Sequence, residues 1–319
     1  MQALSGIYDW LLDPVAPSIR YRTLTELLAR PPDDPDVLKA KQAIPTSKAV
    51  TDILRKMHPD GYWLQKNPRT GELLGDGTVY GSFATTHFCL AYLAELGMDK
   101  EHPQVRKAGN RYLSLQKEDG DFWRHFSCLY SYNIRTFIQL GWREDPRVQK
   151  SIDLMLNTAR PDGGYLCDTH EGKYKTRAVK SCIRGSVKAL IAFAELPEYK
   201  AHPRCTALVD YFLKRGGIFR SDDRSELVNK DVDKLFFPIT WKASLVEIAY
   251  ALSKMGYGQH KALDAMWAML EKKQDTAGRY PLDWTPSQAL LKVGKRGEPN
   301  KWITFYALLA RKYRNGESA

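Results

Sequence analysis

The chain is expected to be all-α, an α/α toroid of about five helix-pair repeats with an inner and an outer helix ring, and three observations predict this. Gly-containing turns leading into an aromatic recur at His58–Trp63, Gln116–Trp123, Arg160–Tyr165, Gly216–Phe219 and Gln274–Tyr280. After the first four turns an apolar helix is followed by an amphipathic one, and after the last the chain ends on a single helix over Lys301–Tyr313. No segment alternates polar and apolar residues as a half-buried strand would.

Each element has its own signal. The first helix of a unit ends at a glycine (Gly97, Gly141, Gly256), where a left-handed C-cap is wanted. The second often carries proline in its first turn (Pro103, Pro146, Pro203), where a missing N–H costs nothing. Segments such as THFCLAYLAELG, VKALIAFAEL and SLVEIAYALSKMG are apolar on every side and belong to the inner ring. PQVRKAGNRYLSL and DPRVQKSIDLML carry charge on one side and belong to the outer ring. Residues 1–57 read as a separate helical cap ahead of the repeat domain, residues 58–319, because terminal repeats need capping.

Composition narrows the function classes. The net charge is +11, which draws phosphates and other anions. Nucleic acid is not the expected partner, since no Lys/Arg block of five and no reading motif occurs. The N-terminus lacks the pattern of a secretory leader, and no run of about 18 apolar residues is present. Five cysteines, an odd number, do not form a disulfide framework. A cytoplasmic protein is expected, with peripheral membrane contact left open.

The Gln-x-x-Asp-Gly-x-x-Trp turn at Gln116–Trp123 resembles the QW motif of squalene and hopene cyclases. The Asp162-Gly163-Gly164-Tyr165 turn resembles that of protein prenyltransferase β-subunits. The resemblance runs over residues 58–313 and implies a toroid that acts on or binds an isoprenoid or its diphosphate in a central cavity. Cyclases of this kind use an Asp-x-Asp-Asp acid. Here Asp231-Val232-Asp233-Lys234 stands in its place, so Asp233 and Asp231 are the catalytic candidates, with a lysine where the last acid would be. Aromatics for such a cavity are Tyr80, Tyr130, Tyr132, Trp241, Trp302, Phe305 and Tyr306.

Prenyltransferases bind zinc through an Asp-x-Cys pair that is missing here. The residues supply another soft set: Cys128 and Cys182 open equivalent inner helices, and Cys167 and His170 have ligand-like spacing. With His125 as a further candidate, these make a zinc site one reading, and small packed cysteines the other. Arg135, Arg184 and Lys188 sit within inner helices, with Lys180 and Lys242 near their starts. Charges there need partners, so they either line a pocket for a diphosphate or another anion, or pair with Asp and Glu. Three classes of function therefore stay open: an isoprenoid enzyme, a non-catalytic toroid for a lipid-like or anionic ligand or a protein partner, and a toroid with zinc or carbohydrate chemistry.

Overall fold

Among the described residues the chain folds as helices joined by turns and loops, with one short hairpin. The computed structural model describes residues 2–66, 73–74, 83–122, 127–167, 181–239 and 242–317. The N-terminal segment forms α1 (Gln2–Leu11), α2 (Pro17–Arg22) running into a π-helical turn (Thr23–Leu27), α3 (Pro35–Ala43) and α4 (Lys48–Leu54). Four pairs follow: α5 (Thr86–Glu95) with α6 (Pro103–Leu113), α7 (Ser127–Gln139) with α8 (Pro146–Asn157), α9 (Ile183–Phe193) with α10 (Pro203–Leu213), and α11 (Leu245–Lys254) with α12 (Asp264–Glu271). The last helix is α13 (Lys301–Arg314). Among the described residues the one sheet is a hairpin of β1 (Gln65–Lys66) and β2 (Leu73–Leu74).

The α/α toroid is the fold formed. Every residue of α5 is buried, as the inner ring requires. The outer α8 buries Val148, Ser151, Ile152 and Met155, a stripe of helical period. Gly97, Gly141 and Gly256 end inner helices with positive φ, as their positions predict.

The turns set the spacing between rings. The backbone N–H of the turn aromatic donates to a hydroxyl in the first turns of the inner helix. Trp63 reaches Thr86 Oγ1 at 3.0 Å, Tyr165 reaches Ser186 Oγ at 3.0 Å, and Tyr280 reaches Thr304 Oγ1 at 2.9 Å. The turn glycine lies flat on the unit's outer helix. Gly163 has φ +83°, and a Cβ there would sit 2.3 Å from the Ala207 carbonyl oxygen of α10. Gln116 ties the second turn to α8, its Nε2 donating to the Arg147 carbonyl (2.6 Å) and Ser151 Oγ (2.8 Å).

The fifth turn shows how the ring closes. A Cβ at Gly278 would meet Ile7 Cδ1 of α1 at 2.3 Å, so the N-terminal helix stands where the other units have their own outer helix. Arg279 lies 4.6 Å over the Trp10 ring, and Lys301 Nζ is 2.9 Å from Asp13. Next in the chain, α2 enters the interior beside α13, and Arg22 reaches Glu95 of α5 and Tyr306 of α13, each at 2.9 Å. Ile7, Leu11 and Ile19 share one hydrophobic core with the repeats.

Candidate functional site

Buried ion pairs join the inner helices to one another. Glu95 ends α5, and its carboxylate takes hydrogen bonds from Arg22, from Arg135 of α7 and from the Tyr306 hydroxyl. Arg135 also donates to the Tyr306 oxygen at 2.9 Å. Glu195, just beyond α9, receives Lys254 of α11 at 2.7 Å. Farther along, Lys188 donates to both oxygens of Glu247, at 2.9 and 2.8 Å. Burial opposes the charge on Glu95, but Arg135 and Arg22 outweigh it, and its carboxyl stays below the usual range. Glu195 is lowered as well, with Lys254 and then Arg135 overcoming burial. For the remaining pair, burial pulls Lys188 down and pushes Glu247 up.

Of the two readings open for these charges, the contacts follow the pairing one: Arg135 bonds Glu95 and Tyr306, and Lys188 bonds Glu247, because an unpaired charge at this depth would be prohibitively costly. Tyr130 is likewise buried, with its hydroxyl toward Thr158. Trp302 stacks on Phe237 at 4.6 Å and 7°. Trp241, like Tyr80, His125, Asp168, His170 and Lys180, lies outside the described residues.

An open pocket of about 650 Å³ lies at the ring mouth, between the third and fourth units. Leu166, Cys182 and Ile183 line it together with Arg184, Tyr211 and Arg215. Across from them stands the loop after the fourth turn, with Arg220, Asp222, Glu226, Asn229 and Lys230. That loop is shaped by its own chemistry: Arg220 donates to Asp222 at 3.0 Å and to Glu226 at 2.8 Å, and the Val228 N–H returns to the Ile218 carbonyl at 2.9 Å. Arg215 lies 3.7 Å over the Tyr211 ring, its Nη1 bonded to the Tyr211 carbonyl, so its guanidinium is held in place. Of the anion-binding residues read from sequence, Arg184 reaches this pocket. Arg215, Arg220 and Lys230 were missed, because nothing local marks an irregular loop as a pocket wall.

Asp231 and Asp233 lie in the same loop, half-buried. Lys234 hydrogen-bonds Asp231, Lys242 stands 3.7 Å away, and the Lys234 bond leads in holding the carboxyl below the ordinary range. An acid kept ionised in this way is a poor proton donor, the opposite of what alkene protonation needs.

The three cysteines do meet. Cys167 Sγ is 3.7 Å from Cys128 Sγ and 3.2 Å from Ser127 Oγ. Hydrogen bonds from Cys167 and Cys182, with burial, push the Cys128 thiol well up. Cys128 is thereby held toward its neutral thiol form. Among the described residues no group of three or more His, Cys, Asp or Glu is arranged to hold a metal ion, so the described residues alone do not fit the expected zinc.

No protein-family model matches the chain, and no curated protein matches it. Solved structures do. A glycosyl hydrolase of family 88 from Bacteroides vulgatus aligns over 95% of this chain and 91% of its own, at 14% identity and a TM-score of 0.54. A polysaccharide lyase aligns over 95% and 90%, at 12% identity and a TM-score of 0.50. A type II terpene cyclase from Scytonema aligns over 86% and 97%, at 14% identity and a TM-score of 0.35. The first two likenesses establish the toroid as a shared fold. Among the described residues no helix is long and apolar enough to cross a membrane.

Proposed function

We propose that this chain is a ligand-binding toroid that takes an acidic saccharide in its mouth pocket and does not carry the cyclase or prenyltransferase reaction. The observation that carries this reading is the pocket lining. Arg184, Arg215 and Lys230 offer charge for a carboxylate, and Asn229, Asp222 and Glu226 offer partners for hydroxyls. About 650 Å³ is within the usual range for small-molecule sites, about 300–1,000 Å³. Two solved structures sharing the fold over nearly the whole chain are a glycosyl hydrolase and a polysaccharide lyase, which supports the saccharide. An isoprenoid in a central cavity calls for an apolar tunnel. The buried ion pairs Arg135–Glu95 and Lys188–Glu247 between inner helices weigh against it.

Calorimetric titration with a uronic-acid tetrasaccharide, its neutral counterpart and farnesyl diphosphate tests the reading. The acidic sugar should bind, and the neutral one at least about tenfold more weakly, the worth of a hydrogen bond to a charged group. Arg184→Ala should lose a similar factor. Equal binding of the two sugars, or preference for farnesyl diphosphate, refutes it.

A further inference from the structure

A second pocket lies at the seam where the N-terminal helices close the ring, and it shares no lining residue with the mouth pocket. It encloses about 570 Å³. One wall is the corner between α1 and α2, with Trp10, Val15, Pro17 and Ile19. The facing wall is Leu290, Val293 and Trp302. Val15 is 87% exposed, far more than the other exposed large apolar residues described, Leu28 at 36% and Leu38 at 46%. Val15 thus extends the apolar lining of the cavity out to its lip, and a contiguous apolar surface of this kind is what marks a ligand-binding groove.

The rim is cationic. Lys48, Lys292 and Lys301 border the pocket against one lining carboxylate, Asp52. Lys48 pairs with Asp52 at 2.5 Å, Lys301 with Asp13 at 2.9 Å, and Lys292 donates to the Ser287 carbonyl at 2.8 Å. The Lys48 side chain is 87% exposed, and a long aliphatic stem lets its ammonium swing to a new partner. Apolar walls under a cationic rim complement one ligand chemistry: a single alkyl chain with an anionic head.

We propose that the seam pocket binds a long-chain fatty-acid anion, its chain against Trp10, Ile19, Leu290 and Trp302 and its carboxylate at Lys48 and Lys292. The site stands apart from the mouth pocket, and the two can fail separately.

The test is a titration of the full chain with fatty acids of eight to fourteen carbons, below their micelle concentrations. The dissociation constant should fall about fourfold per methylene until the pocket is full. Val15→Asp with Leu290→Asp should abolish binding, and Lys48→Gln with Lys292→Gln should weaken it about tenfold. Arg184→Ala should leave it unchanged. Thermal melts of each variant confirm the fold, and if the Leu290 change lowers the melt, Val15→Asp alone carries the test. Affinity independent of chain length, equal binding of uncharged alkyl alcohols, or binding retained in folded Val15→Asp overturns the proposal.

Discussion

Lys188 and Glu247 are the sharpest test of the buried pairing between inner helices. Their side chains are 0% and 3% exposed, so water cannot replace a lost partner. Lys188→Met keeps most of the side chain's length and removes its charge, leaving Glu247 buried and uncompensated. Breaking one side of such a pair costs about 3–5 kcal/mol. The penalty should depend on pH. Burial already pushes the Glu247 carboxyl above its ordinary 4.5, and losing Lys188 pushes it further. Above 4.5 the folded variant then binds more protons than the unfolded chain, so its stability falls as pH rises through that window. The double variant Lys188→Met with Glu247→Leu removes both charges and should return to within about 1 kcal/mol of the parent, or exceed it. Urea unfolding followed in parallel by circular dichroism and tryptophan fluorescence gives the free energies, provided the two transitions coincide. A single-variant cost below about 1 kcal/mol, or a double variant as damaged as the sum of the singles, refutes a buried, mutually compensating pair.

Three further outcomes are expected. Glu95 and Glu195 are held below their ordinary values, so the unfolded chain binds more protons as pH falls below about 4.5, and stability is lost through the folded values; Glu95→Gln should flatten that acid slope in a series of melting temperatures. Gly163→Ala, which meets the Ala207 carbonyl at positive φ, should cost at least about 2 kcal/mol, whereas Gly297→Ala, at φ +85° with open space around it, should cost about 1 kcal/mol; equal costs in chemical denaturation would remove the contact between turn and outer helix. Ile7→Ala should cost about 2–4 kcal/mol if α1 serves as the fifth unit's outer helix, and a loss under 0.5 kcal/mol on the same scale would show α1 to be peripheral.

Much of this fold was legible from local chemistry. Positive φ at a turn, a proline in a first turn, a glycine C-cap and a helix apolar on every side are each decided within a few residues, and the toroid follows from repeating them. The ion pairs were half legible. Arg135 and Lys188 stand out as charges in apolar helices, and Glu95 and Glu195 sit in matching Ala-Glu-Leu segments at the ends of α5 and α9. Which acid meets which base depends on how far each helix is turned about its axis, and periodicity leaves that open.

By itself, then, the sequence determined the helix pairs, their two rings and the punctuation between them, because those follow from backbone preferences and the side on which apolar residues recur. Only the tertiary structure decided that Ile7 seats against Gly278 to close the ring and that Arg22 joins a carboxylate 73 residues away. It alone brought Arg184 and Lys230 to one pocket while spending Arg135 and Lys188 inside. Such contacts join distant parts of the chain, and their worth depends on burial and orientation that no local pattern encodes.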